Sequence, residues 1–144
     1  MTEVEFHTGV ADPLAYACRL LRKAYRAGVR VLVTAPPATL AALDRALWTF
    51  DERDFVPHVR QPGANASVAA LTPIWLAPQA GLPDAPPVLV NLGADGPGDL
   101  AGVERLIEIV SSDADDADRG RGRWRAYKAR GLEIVHHRSG AAAG

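Results

Sequence analysis

Apolar residues recur along the chain in two rhythms, and the switches between them divide it into elements. Val4 to His7 reads as a first strand. Leu14, Ala17, Cys18, Leu21 and Tyr25 then recur at helical spacing and are expected to face a core, with Arg19, Arg22, Lys23 and Arg26 outside. Asp12 caps this helix, and Pro13 takes its first position, where a missing N–H costs nothing. Gly28 closes it. Arg30 to Ala35 is a short apolar run between Gly28 and Pro36, as a buried strand requires. After Pro36 and Pro37 a second helix follows, with Leu40, Leu43, Leu47 and Trp48 on its apolar side. The order β-α-β-α argues for an α/β sandwich with a parallel core.

The second half alternates less cleanly. Phe55 to Val59 is a short strand or extended segment, and Pro57 places it at an edge or bend. Gln61 to Ser67 reads as a loop, Pro73 to Ala77 as a strand, and Pro78 to Pro87 as an irregular connector. Val88 to Leu92 is a core strand, Gly93 to Gly98 a loop, and Asp99 caps a short helix through Leu106. Ile107, Ile109 and Val110 supply the β-branched residues of another strand. Ser111, Ser112 and Asp113 offer caps for a last long helix, and Gly131 ends it. Gly120 and Gly122 each disfavour helix by about 1 kcal/mol relative to Ala, so its basic part is expected to begin near Arg121. Glu133 to His136 adds a final strand. The expectation is one domain over residues 1–138 and a frayed tail at 139–144.

The formal charge of −1 over 144 residues gives no global electrostatic case for gripping nucleic acid. Positive surface must therefore be local. Arg121, Arg125 and Lys128 fall at i, i+4 and i+7 on one helix face, flanked by Trp124 and Tyr127. Such a stripe can hold a small acidic peptide that carries an aromatic group; the competing reading turns the aromatics into the core and leaves a solvated basic face. Asp113, Asp115, Asp116 and Asp118 would repel an acidic ligand unless they face away.

The single cysteine, Cys18, excludes an intrachain disulfide and reads as a small buried hydrophobe. None of His7, His58, His136 and His137 has zinc-ligand spacing, and the adjacent pair points to opposite sides of a strand. No metal or cofactor is expected. TAPPAT after the second strand lacks phosphate-cradling glycines, and Gly93, Gly96 and Gly98 match neither the dinucleotide nor the Walker pattern. No catalytic arrangement is recognisable. MTEVEFHTG is no signal peptide and no apolar run approaches a membrane span, so a cytoplasmic protein is expected.

Three blocks in this order resemble the chi subunit of bacterial DNA polymerase III. Ala46 to His58 (ALWTFDERDFVPH) resembles its Leu-Trp and Phe-x-Pro-His signature, and Arg121 to Gly131 (RGRWRAYKARG) its C-terminal basic-aromatic helix. ACRLLRKAYRAGVRVLV resembles its first helix and second strand; Gln61 to Pro87 matches least. The resemblance implies a non-catalytic accessory subunit of the clamp-loader assembly. Its fold would be a three-layer α/β/α sandwich with a mostly parallel sheet, Rossmann-like without a phosphate-binding loop. Its partners would be the psi subunit and the acidic C-terminal tail of single-stranded DNA-binding protein. By position, Val110, Arg121, Trp124, Arg125 and Lys128 match the tail-binding site, and Trp48 and Phe55 the psi-binding signature. Ala117 stands where some members have a further cation. The alternative is a direct nucleic-acid-binding module using the basic helix 121–130; a nucleotide-dependent enzyme on the same scaffold ranks third.

Overall fold

The computed structural model of the chain describes residues 2–51, 53 and 55–138. The proposed tail at 139–144 lies outside the described residues. Seven strands form one sheet: β1 (Glu3–Val10), β2 (Val31–Thr34), β3 (His58–Arg60), β4 (Ile74–Ala77), β5 (Val88–Asn91), β6 (Arg105–Ser111) and β7 (Ile134–Arg138). Their order is β3-β4-β2-β5-β6-β1-β7, and every pairing is parallel. Among the described residues the helices are α1 (Pro13–Arg26), α2 (Pro37–Thr49), α3 (Ala66–Leu71) and α4 (Ala114–Ala129).

Strand alternation sorts the core into two layers. Val31, Val33, Ile74, Leu76, Val88, Val90, Ile107 and Ile109 pack with Ala17, Cys18 and Leu21 of α1 and Leu40, Leu43 and Leu47 of α2. Leu32, Trp75, Leu89, Leu106 and Val110 point the other way, toward Ala69 of α3 and Tyr127 of α4. The expected three-layer α/β/α sandwich is therefore present, with a sheet parallel throughout. Near the end of β1 its register against β6 shifts between His7 and Val10, with Gly9 at φ +67°. This irregularity sends Val10 to the α1/α2 layer, although Val4 and Phe6 face α4.

Several local expectations are corrected. The loop expected over Gln61 to Ser67 gives way at Ala66 to helix α3, because the Asn65 side chain accepts from the N–H groups of Ser67 and Val68. No helix follows Asp99. Its carboxylate accepts from Ala101 N–H in a turn, Gly102 stands at φ +79°, and strand β6 begins at Arg105. Tyr25 is 36% exposed, and Ala24 packs against the core in its turn of helix. Trp48 is 63% exposed: it sits one residue, roughly 100° of helix, beyond the Leu40–Leu43–Leu47 stripe. Finally, Asp113 caps the last helix as expected, accepting from Asp116 N–H at 3.0 Å, but α4 is continuous from Ala114 through Gly120 and Gly122 rather than beginning near Arg121.

Candidate peptide-binding groove and apolar patch

Helix α4 packs on β6, and Gly120 makes its close approach to Val110 possible. A Cβ there would stand 2.9 and 3.0 Å from the two Cγ atoms of Val110. Between α4 and the strands lies a groove of about 660 Å³. Val110, Ala117 and Gly120 give it an apolar floor, and Arg121, Trp124 and Arg125 form the wall contributed by the helix. Thr8, His136 and Arg138 come from β1 and β7 on the other side. Among the described residues, three arginines line the groove and no carboxylate does. Trp124 is fixed in place by edge-on contacts with Phe6, at 4.9 Å between ring centroids, and with His136, at 5.2 Å. Thr8 Oγ1 holds His136 Nε2 at 2.6 Å.

None of Asp113, Asp115, Asp116 and Asp118 lines the groove. Asp113 caps the helix, and Asp116 accepts from Ser111 N–H at 2.7 Å while pairing with Arg119. Asp118 pairs with Arg121 at 3.3 Å, both side chains being largely solvated, so the pair holds Arg121 only weakly. Of the predicted tail-site residues, Val110, Arg121, Trp124 and Arg125 come together. Lys128, exposed one turn further on, does not line the groove.

A second surface lies at the other edge of the sheet. Trp48, at the end of α2, and Phe55, ahead of β3, stack with centroids 4.9 Å apart and planes 30° apart. They are 63% and 45% exposed. His58 lies beneath both rings, at 5.4 and 5.9 Å. Its Nδ1 donates to the Val56 carbonyl at 2.7 Å, and its Nε2 meets Asp44 at 2.8 Å. His58 is thus a hydrogen-bonded structural histidine that serves as the base of an exposed aromatic pair.

The chain matches the family described as DNA polymerase III chi subunit, HolC, over residues 1–135. The chain belongs to the chi-subunit family. It is also similar to the DNA polymerase III subunit chi of Pseudomonas aeruginosa strain PAO1. That protein is 33% identical over 148 residues, which cover 96% of this chain and 97% of the relative. As a chi-family member, the chain is a non-catalytic accessory subunit of DNA polymerase III with a role in DNA replication. Among the described residues, no helix is long and apolar enough to cross a membrane.

In this chi-family chain the orientation of α4 is set by a buried polar network that the sequence pattern did not flag. Glu108, on the same face of β6 as Val110, has no exposed surface. It accepts from Arg123 Nε at 3.0 Å, Tyr127 Oη at 2.6 Å and Asn91 Nδ2 at 3.0 Å. Burial pushes its carboxyl up, opposed by the Arg123 charge and the three donors. Burial and the neighbouring Glu108 carboxylate push the Tyr127 phenol well above its ordinary value. Tyr127 therefore belongs to the core rather than to the flank of the basic stripe. Because Arg123 and Tyr127 are fastened to the sheet, Arg121 and Arg125 are left on the groove side. His136 and Arg138 were also missed as groove residues. The signal was their alternation with Ile134 on one face of the last strand, but only the pairing of β7 with β1 brings that face to α4.

Proposed function

We propose that the chain bridges two proteins in the clamp-loader assembly of DNA polymerase III. The groove beside α4 takes the acidic C-terminal tail of single-stranded DNA-binding protein, and the Trp48–Phe55 pair takes the psi subunit. The observation that carries the reading is the groove itself: arginines and a histidine around an apolar floor, with no carboxylate among the described residues that line it. Guanidinium groups pair with tail carboxylates, and the floor of Val110, Ala117 and Gly120 accepts an aromatic tip. The exposed aromatic pair supports the second contact, since such a patch on a rigid base is suited to a protein partner. Weak, exchangeable tail binding would let the polymerase machinery follow coated template.

The test is titration of a fluorescent tail peptide. Arg121→Ala and Arg125→Ala are each expected to weaken binding at least several-fold, because charge-assisted hydrogen bonds contribute roughly 1.5–3 kcal/mol. Lys128→Ala is expected to weaken it less, since Lys128 stands outside the lining. Equal binding of a peptide without its acidic-aromatic tip, or unchanged affinity in both arginine variants, would refute the site. Tight binding of naked single-stranded DNA by the same arginines would replace this reading with the nucleic-acid-binding module.

A further inference from the structure

On the face of the sheet opposite the groove, β1 and β7 bring three metal-binding side chains together. The parallel register sets His7 beside His137, and Glu5 lies two residues earlier on the same face of β1. Their candidate ligand atoms all lie within 4.8 Å of one another. Glu5 Oε1 is 3.4 Å from His7 Nε2 and 3.3 Å from His137 Nε2. Two ligands bound at about 2.0–2.1 Å to a tetrahedral zinc ion stand about 3.3–3.4 Å apart, so both separations match an edge of that tetrahedron.

The surroundings prepare each ligand. The Tyr16 hydroxyl is hydrogen-bonded to Nδ1 of His7. With Nδ1 donating its proton to that oxygen, the Nε2 lone pair of His7 is directed at the cluster. That Nε2 is buried and has no hydrogen-bond partner among the described residues. An outer hydrogen bond on the far ring nitrogen is the usual support of a zinc-bound imidazole. Glu5 divides its carboxylate in the same spirit: Arg105 Nε donates to Oε2 at 2.6 Å, leaving Oε1 for the histidines. The His137 side chain is half exposed, which gives an ion a path in and a water its fourth position.

We propose that Glu5, His7 and His137 form a binding site for a divalent transition metal, of which zinc fits the ligand set best. Bound there, the ion ties the edge strand β7 to β1. The adjacent histidines divide their work across the strand, His136 toward the groove and His137 toward the metal. The site shares no residue with the groove or the aromatic patch, so it is independent of the bridging role.

The test is calorimetric titration of the tag-free, metal-stripped full chain with zinc chloride, with the thermal midpoint measured in parallel. One equivalent of zinc and a raised midpoint are expected. His137→Ala alters an exposed side chain and is expected to fold; it should lower zinc affinity at least ten-fold, and Glu5→Gln likewise. His136→Ala should leave zinc affinity within two-fold. Absence of stoichiometric binding, a loss of less than ten-fold in His137→Ala, or an equal loss in His136→Ala would overturn the site.

Discussion

At the scale of single residues, Glu108 shows how a buried charge is tolerated. Its carboxylate is out of water, and Arg123, Tyr127 and Asn91 each bring a donor to it. Asn91 in turn accepts from Thr34 at 3.1 Å and from Ala94 N–H at 3.0 Å, so the network ties β2, β5, β6 and α4 together. Arg123 is itself nearly buried, and its Nη2 finds no partner among the described residues. Removing Glu108 therefore leaves a guanidinium charge in the interior without its counter-charge. Glu108→Ala is expected to destabilise the fold by about 3–5 kcal/mol, read from urea unfolding. Removing both charges, as in Glu108→Leu with Arg123→Leu, should recover part of that loss, because the penalty lies in the unpaired charge. A loss below about 1 kcal/mol in the single variant would show that the pair does not hold α4.

At the scale of elements, the two glycines of α4 look equivalent in sequence and behave oppositely in the fold. A Cβ on Gly122 meets open space, whereas one on Gly120 strikes Val110. Gly122→Ala is expected to stabilise the chain by about 0.5–1 kcal/mol through helix propensity alone. Gly120→Ala gains the same propensity but forces α4 off β6, an overpacking cost of about 1–3 kcal/mol. Thermal unfolding of the two variants should therefore show shifts of opposite sign; equal shifts would mean that the contact with Val110 is loose. The same contrast explains what was legible in the sequence. Strands β2, β4 and β5 and helices α1 and α2 are written in local periodicity, caps and prolines, so their succession along the chain could be read directly, whereas their order in the sheet and the layer each side chain joins could not. Arg121, Trp124 and Arg125 could be placed by helical spacing and by resemblance. Asp99 and Gly120 misled because turn and cap, or helix breaker and close-packing residue, share one identity until a neighbour is known. Tyr127 stayed open between the flank of the stripe and the core because Glu108, its partner, lies 19 positions away on a strand. The metal cluster joins residues from the two ends of the chain and has no local spacing to find.

At the scale of the whole molecule, the sheet separates the two proposed partner surfaces. The Trp48–Phe55 patch lies at the β3 edge, and the groove lies over β6, β1 and β7. From β3 to β1 there are five strand spacings, a lateral separation of about 24 Å. Screened charges do not communicate over that distance, since the Debye length is about 8 Å at physiological ionic strength. The two surfaces also differ in chemistry: one is a cluster of arginines, the other a stacked aromatic pair. Tail binding should therefore weaken as salt rises, while psi binding should change little. Saturating the chain with psi should leave tail affinity within two-fold, and the three components should co-migrate on a sizing column. Trp48→Ala should weaken psi binding alone, and Arg125→Ala tail binding alone. In the double variant each partner's affinity should match that in the corresponding single variant within about 0.3–0.5 kcal/mol, as for sites that share no contacts. Displacement of the tail by psi, or strong non-additivity in the double variant, would mean that the partners compete for one surface, and the bridging role would fall.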